Sequence, residues 1–479
     1  MIVFLLRIVL MLLSIVAMSM LIPLGFAIYH RETDTVFAFL LPMVAFLIPG
    51  ILAFIFKQKS KPVFSMKAGF VVVASSWILA CILGALPLMI SGYIPSFFDA
   101  FFESASGFTT TGASILSSVE ALPLSLNIWR AEMHWLGGMG IVAMTVALMP
   151  LLGIGGFTLI KAETTGPDKG KITPKIAQTA KILWFIYIFL TFIQIVLLLF
   201  TDMNFSESVF HTFGSLGTGG FSMKDSGLAN YSPAAQWICT VFMLIAGTNF
   251  ALYYLLMQKR GKEFLQNTEV KVYWSIVILA TAVVTIALLP VYKSFSTSVR
   301  HAAFQVVSVL TTTGFATADY VQWPQLAQSV LFLLLFIGGC SASTAGGVKV
   351  VRWTVLFKQM MNEIKRMLHP YGVFTIHLNG KAGRKDIVYS VAAFIFLYFL
   401  LVAITTLIAS LNGVDLLTSF TSGLALVGNV GPGFGKVGPT GNYGFYSSAT
   451  KLWFSFAMLA GRLELYTIFI FLTPHFWKR

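Results

Sequence analysis

The chain has 479 residues, of which 57% are hydrophobic and only 10% are charged, and its formal net charge is +14. A soluble globular protein carries about 25% charged residues, so this composition excludes that class. The apolar residues form continuous runs of about 20, the length of a membrane-spanning helix, which also excludes a transmembrane barrel with its alternating strands.

In chain order, the apolar runs predict ten full spans, near 2–28, 36–56, 68–92, 128–153, 180–201, 233–257, 272–292, 325–350, 386–411 and 452–473. The first run is long and lacks a small-residue cleavage site, which favours a retained span over a signal peptide. Most Lys and Arg residues fall in the connections 57–67, 158–182, 258–272 and 358–386 and at Lys478 and Arg479. This positive-inside bias predicts cytoplasmic termini and explains the positive charge without a nucleic-acid partner.

The outer connections after spans 3, 5, 7 and 9 share one design. Each holds an apolar stretch of about ten residues, too short to span a bilayer, that leads into a Gly/Thr-rich turn. The segments are FFESASGFTTTGAS (101–114), FHTFGSLGTGGFS (210–222), FQVVSVLTTTGFA (304–316) and FTSGLALVGNVGPG (420–433). Alignment on the last glycine of each turn puts Gly112, Gly220, Gly314 and Gly431 in register. This is a parallel repeat of about a hundred residues, which predicts four copies around a central hole.

Non-helical backbone at membrane depth is stable only where it is buried in protein or lines water. One such turn would most simply be a helix-breaking loop, but four in register predict a ring of carbonyl oxygens that replaces the water shell of a monovalent cation. The candidate filter residues are Thr110, Thr111, Gly112, Thr218, Gly219, Gly220, Thr312, Thr313, Gly314, Asn429, Val430 and Gly431. The short helices would aim their negative ends at the axis. Acidic residues expected at the outer mouth are Asp99, Glu103, Glu207, Asp319 and Asp415.

The four-repeat pattern resembles the Trk/Ktr/HKT superfamily of potassium transporters, and its bacterial TrkH branch in particular. The motifs are RAEMHWLGGMGI (130–141), SLGTGGFS (215–222), GGCSASTAGGVKVVR (338–352), GNVGPGFG (428–435) and AGRLELYT (460–467). The resemblance implies an all-α integral membrane protein in which two N-terminal spans (1–64) precede four repeats of helix, re-entrant pore helix and helix. The repeats are expected at 65–165, 166–265, 266–372 and 373–479. An intact Gly112 implies potassium preference.

Two further features lie inside predicted spans. Arg462 is a costly charge in span 10 and marks a functional residue by default, with a structural pair to Glu464 or Glu132 as the alternative. Two glycine pairs interrupt span 8, either for close helix packing or as a loop. The resemblance implies that Arg462 projects into the pore below the filter. It also implies an intramembrane gating loop that contains Gly338, Gly339, Gly346, Gly347 and Lys349.

Glu132 and His134 are two residues apart and therefore lie on different helix faces, which favours an interhelical contact over a metal or catalytic pair. The three cysteines lie in apolar runs and predict no disulfide framework. No Walker-type loop, dinucleotide fingerprint or acidic magnesium cluster occurs, so we expect no cofactor other than K+ as the transported ion.

The resemblance also implies a homodimer with one pore per protomer, and a separate TrkA-like ring of nucleotide-binding subunits docked on the basic cytoplasmic face. Membrane lipid is the other expected partner of that face. We predict a non-enzymatic potassium uptake protein of the bacterial inner membrane, driven by the electrochemical gradient. A K+ symporter coupled to H+ or Na+ is the alternative. An intramembrane enzyme is disfavoured, because no catalytic carboxylates or histidines have workable spacing.

Overall fold

The computed structural model describes residues 2–55, 66–140, 176–379, 381–382 and 385–477, and their regular secondary structure is almost entirely helical. Most of the basic connections 57–67 and 158–182 lie outside this part of the chain. So do the second half of the span predicted at 128–153 and the C-terminal Lys478 and Arg479.

Three helices precede the repeats: α1 (Ile2–Ser19), α2 (Leu21–Tyr29) and α3 (Thr33–Ile55). Repeat 1 holds α4 (Met66–Ile90), α5 (Phe97–Phe108) and α6 (Leu124–Gly138). Repeat 2 holds α7 (Ile176–Leu199), α8 (Phe205–Gly217), α9 (Pro233–Ala246) and α10 (Phe250–Met257), followed by α11 (Gly261–Gln266). Repeat 3 holds α12 (Thr268–Tyr292), α13 (Phe295–Leu310), α14 (Gln325–Leu334) and α15 (Val350–Leu368). Repeat 4 holds α16 (Lys385–Ser410), α17 (Leu416–Val427), α18 (Ser448–Arg462), α19 (Tyr466–Phe469) and α20 (Pro474–Trp477).

The remaining elements are short. Strands β1 (His377–Leu378) and β2 (Lys381–Ala382) pair antiparallel before repeat 4. Three 3₁₀ turns occupy Tyr320–Gln322, Gly435–Val437 and Ile470–Leu472. Each repeat therefore has a long helix, a short helix that ends at a turn, and a second helix, which is the predicted fold class.

The N-terminal helices are attached to repeat 1. Helices α1 and α2 together form one candidate span, Phe4–Tyr29, and α1 packs against both α3 and α4. In the α2–α3 connection, the Glu32 carboxylate accepts hydrogen bonds from the backbone N–H groups of Leu124 (2.9 Å) and Ser125 (3.2 Å). These N–H groups belong to the first turn of α6, where an acceptor with a negative charge is favourable.

The long helices of repeats 2 to 4 face lipid over much of their surface. In α7, α12 and α16, only 28%, 28% and 33% of the residues in the most apolar window are buried within the protein. Their exposed side chains include Phe192, Ile278 and Phe396. Apolar surface of this extent is stable in a bilayer and not in water.

In the described residues, the second helices of repeats 2, 3 and 4 are broken, and of these breaks the sequence predicted only the one in repeat 3. Six helices in the described residues are long and apolar enough to span a membrane. Two further helix pairs are bent: α9 and α10 by 94°, and Ser448–Arg462 and Tyr466–Leu472 by 112°. Between α14 and α15 the chain leaves the helix altogether. Gly247, Gly338 and Gly461 lie at or near these breaks, and glycine weakens a helix by about 1 kcal/mol relative to alanine.

Candidate functional site

Each short helix ends where its predicted turn begins, and the four turns have the same backbone conformation. The φ angles of Thr110, Thr218, Thr312 and Asn429 are 53°, 55°, 55° and 54°. Two residues later, the φ angles of Gly112, Gly220, Gly314 and Gly431 are 77°, 71°, 83° and 90°. A left-handed residue with a side chain is uncommon, so its occurrence at the same place in four turns is a specific feature of the repeat.

The four turns meet in a closed ring. A Cβ atom built on Gly112 would lie 2.1 Å from the carbonyl oxygen of Gly219, and one built on Gly220 would lie 1.9 Å from that of Thr313. The series continues from Gly314 to Val430 (2.3 Å), and from Gly431 back to Thr111 (2.4 Å). In each turn the residue before the last glycine therefore directs its carbonyl at the glycine of a neighbouring turn. No side chain fits at these contacts.

The polar side chains of the ring are buried and held by neighbours. Thr111 Oγ1 accepts a hydrogen bond from Asn429 Nδ2 (3.0 Å), which joins the first turn to the fourth. Thr313 Oγ1 bonds to Thr311 within its own turn (2.8 Å). Thr110 Oγ1 and Asn429 Oδ1 are buried without a hydrogen-bond partner in the described part of the chain. A buried polar atom without a partner is costly, so these two oxygens have unused capacity as acceptors.

An open cavity lies on the side of the ring from which the turns continue. It has a volume of about 330 Å³, and its lining includes all four ring glycines. Asp225 and Asp319 also line this mouth, together with Lys224 and Arg130. Asp225 was not among the acidic residues that the sequence predicts at the mouth. Its carboxylate accepts from Ser118 Oγ (2.6 Å) and the backbone N–H of Val119 (2.7 Å), and so ties the outer loops of repeats 1 and 2 together.

Of the five acidic residues expected at the mouth, only Asp319 lines the cavity, and the other four are held by partners elsewhere. Glu103 forms a fully buried ion pair with Arg130 (2.6 Å), Asp99 pairs with Lys451 (2.6 Å), and Glu207 pairs with Lys224 (3.0 Å). Asp415 caps α17, where the hydroxyl and N–H of Thr418 donate to its carboxylate and lower its pKa. Ion pairs and a helix cap determine where these four carboxylates lie, and the sequence does not specify those partners.

On the opposite side of the ring, residues 335–349 form a non-helical loop between α14 and α15, at the place where the resemblance implies a gating loop. Its two glycine pairs lie against each other: a Cβ on Gly338 would be 2.2 Å from the Gly346 carbonyl oxygen, and Gly338 N–H donates to Val348 O (2.9 Å). A Cβ on Gly339 would be 2.8 Å from Gly247 O, and one on Gly347 would be 3.1 Å from Gly338 Cα. The glycines therefore permit a closely folded hairpin.

The loop contacts the underside of the ring. The N–H of Gly346 donates to Thr312 Oγ1 (2.6 Å), and Gly346 also lies beside Asn429. Lys349, at the end of the loop, donates to the carbonyl oxygen of Ala345. The loop thus touches the turns of repeats 3 and 4 directly.

Arg462 joins three repeats. Its guanidinium donates to the carbonyl oxygens of Thr344 in the loop (2.7 Å) and of Gly137 (2.6 Å) and Gly138 (3.0 Å) at the end of α6. Glu464, one of the partners that the sequence left open for Arg462, pairs instead with Arg352. Arg462 therefore connects the loop of repeat 3 and the second helix of repeat 1 to repeat 4.

Comparisons with known proteins agree with this architecture. Residues 36–479 match the TrkH family, described as "Cation transport protein". The chain is 35% identical to the Trk system potassium uptake protein TrkH of Halomonas elongata over 436 residues, which is 90% of each chain. It is 37% identical to the protein of the same name from Escherichia coli K12 over 428 residues, 88% of each. The crystal structure of the potassium transporter TrkH from Vibrio parahaemolyticus matches with a TM-score of 0.87 and 34% identity, over 98% of each chain. The chain belongs to the TrkH family of cation transport proteins, and is a membrane transport protein rather than an enzyme.

Proposed function

We propose that the chain takes up potassium by conducting K+ down its electrochemical gradient through the ring of four turns. The observation that carries the proposal is the closed ring, in which a carbonyl from each turn meets the glycine of the preceding turn. Carbonyl oxygens held in this way replace the water around a monovalent cation, and K+ loses its water more easily than Na+. Potassium itself comes from the names of the relatives, which are potassium uptake proteins.

The filter consists of the twelve residues Thr110–Gly112, Thr218–Gly220, Thr312–Gly314 and Asn429–Gly431. The orphaned oxygens of Thr110 and Asn429 support an ion-binding role for this ring. The ends of α5, α8, α13 and α17 lie at these turns, so the partial negative charges of their last carbonyls favour a cation. The four repeat boundaries proposed from the sequence each enclose one turn.

The gate is the glycine-rich loop below the ring, with Gly338, Gly339, Gly346, Gly347 and Lys349. The contacts of Gly346 with Thr312 and Asn429 support this assignment, since they put the loop across the underside of the filter. Arg462 stabilises the closed arrangement through its bond to Thr344, and its charge opposes cation leak.

We infer that the protein lies in the bacterial inner membrane, surrounded by lipid, with both termini in the cytoplasm. The bias of Lys and Arg toward alternate connections supports this orientation. A TrkA-like ring of nucleotide-binding subunits on the basic face would move the loop, and two protomers would form a homodimer with a pore each. Coupling to H+ or Na+ has no support from the names of the relatives, and we do not propose it.

Flux through purified protein in liposomes tests the function. With equal gradients of K+ or Na+ across the membrane, we expect K+ flux to exceed Na+ flux by about tenfold, which corresponds to about 1.4 kcal/mol. The flux should follow the imposed voltage at fixed pH. Equal fluxes of the two ions would overturn potassium selectivity, and a saturating flux that requires a proton gradient would overturn conduction in favour of coupled transport.

A further inference from the structure

The first and second turns of the ring are joined by a buried clamp on α6. Arg130 and His134 are four residues apart on α6, so they lie on one face of the helix, and both are fully buried. On one side they meet α5, at Glu103 and Gly107, which are also four residues apart. On the other side they meet Phe221, the first residue after Gly220.

The ring of Phe221 contacts both side chains. The guanidinium of Arg130 is 4.1 Å from the centre of the phenyl ring, and the imidazole centre of His134 is 4.2 Å from it. Arg130 is fixed in turn by Glu103, to which its Nε donates (2.8 Å), and by Asn127 Oδ1 (2.9 Å). The second turn is therefore held against the pore helix of the first through side chains of α6.

His134 also bonds to the backbone of the first pore helix and of the residue that follows the second turn. Its Nδ1 is 2.8 Å from the carbonyl oxygen of Gly107 in α5, and its Nε2 accepts the N–H of Phe221 at 3.3 Å. An Nε2 that accepts carries no hydrogen, so the hydrogen of the neutral ring is on Nδ1 and is donated to Gly107. A single tautomer thus bonds both to the carbonyl oxygen of Gly107 in α5 and to the N–H of Phe221 after the second turn.

The imidazole also fills the space behind the filter. A Cβ on Gly219 would lie 2.1 Å from His134 Cγ, while the carbonyl oxygen of the same Gly219 lies against Gly112. A change in the position of the imidazole would therefore move Gly219 and its carbonyl oxygen, which lies against Gly112. Carbonyl positions in a filter determine which ion is favoured.

We propose that His134 is a positioning residue that sets the ion selectivity of the filter, by fixing the distance between the first and second turns. This inference rests on the proposed function of the ring. The sequence predicts only an interhelical contact for His134. In the structure each imidazole nitrogen has its own backbone partner, and the effect of each bond on ion selectivity can be measured.

Two substitutions separate the two hydrogen bonds. In His134→Asn the amide nitrogen takes the place of Nδ1 and keeps the bond to Gly107, but no acceptor reaches Phe221. In His134→Gln the amide group reaches the position of Nε2 and its oxygen accepts from Phe221, while the bond to Gly107 is lost. We expect His134→Asn to lower the ratio of K+ flux to Na+ flux about fivefold, and His134→Gln to keep most of it.

Thr191→Val is the matched control. It removes the hydrogen bond between Trp135 Nε1 and Thr191 Oγ1 (3.0 Å), which also runs from α6 to a neighbouring helix but does not involve a turn. We expect the wild-type flux ratio from this variant. Both ions are measured on the same preparation, so the ratio does not depend on the amount of folded protein.

The outcomes are distinguishable. If the wild-type protein does not favour K+, the proposed function itself fails. If the wild-type protein favours K+ but His134→Asn has the same flux ratio, His134 is only a packing residue and the inference is overturned. Should His134→Asn not yield folded protein, His134→Met, which fills a similar volume and makes neither bond, must show the lowered ratio instead.

Discussion

At the residue scale, the ring depends on backbone contacts that leave no room for a side chain. Gly112 illustrates two separate requirements. Its φ of 77° is in the left-handed region, and a Cβ would lie 2.1 Å from the carbonyl oxygen of Gly219. The first requirement concerns only conformational strain, whereas the second concerns the position of a carbonyl oxygen in the proposed filter.

Gly112→Ser tests the second requirement. The added Cβ must displace the Gly219 carbonyl, so we expect the ratio of K+ flux to Na+ flux in liposomes to fall about tenfold. Gly92→Ser is the control, because Gly92 has a similar φ of 80° but has nothing within 4 Å of its Cβ position. Both variants bear the same conformational strain of about 1 kcal/mol. An equal flux ratio in the two variants would refute the importance of the contact.

At the element scale, the four short helices and their turns were predictable, whereas the contacts around them were not. The apolar stretches and the aligned glycines are local patterns in the sequence. They predict the four short helices and the register of the four turns. The breaks in the second helices of repeats 2 to 4 depend on tertiary contacts, such as the close approach of Gly461 to the carbonyl oxygen of Val427. Local composition indicates such contacts only weakly. The pairing of Glu103 with Arg130 joins two elements and is not visible in the sequence.

Glu269 is another residue that sequence reasoning missed. It lies in the first turn of α12 and is largely buried. One carboxylate oxygen accepts from the backbone N–H of Ser341 (2.7 Å), from Ser341 Oγ (3.1 Å) and from the N–H of Val351 (3.2 Å). It therefore holds the middle of the glycine-rich loop and the first turn of α15, which follows the loop.

Glu269→Ala should loosen the loop. Hydrogen bonds to a charged group are worth about 1.5–3 kcal/mol, so we expect K+ flux through the purified chain alone to rise about tenfold. The flux ratio between K+ and Na+ should not change, because the ring is untouched. Glu263→Ala removes an exposed carboxylate that pairs with Arg260 three residues earlier and should leave the flux as in the wild type. Unchanged flux in Glu269→Ala would exclude the carboxylate as a restraint on the loop.

At the scale of the whole molecule, the repeats are joined in the plane of the ring and also beneath it. The ring contacts run from each turn to the next, while Arg462 connects α18, the loop of repeat 3 and the end of α6. The N-terminal helices add a further restraint through the cap that Glu32 places on α6. Helix α6 is therefore fixed at its first turn by Glu32 and at its last turn by Arg462.

Arg462→Gln should release the connection beneath the ring. The variant loses a charge and most of the bonds to three carbonyl oxygens, so we expect K+ flux to rise about tenfold with folding retained. Arg366→Gln, which removes a charge from an exposed pair with Glu363, should have no effect on flux. Loss of folded protein in Arg462→Gln would show that the arginine is required for structure, and a decrease in flux would contradict its role in closing the pathway.

The contact between Asn429 and Thr111 spans 318 residues of sequence. A nascent chain enters the bilayer from its N-terminus, so the first turn is made long before its partner leaves the ribosome. The ring thus lacks one quarter until translation is nearly complete. A polypeptide that ends before repeat 4 lacks the fourth set of carbonyl oxygens, so the proposed filter can close only after nearly the whole chain has been made.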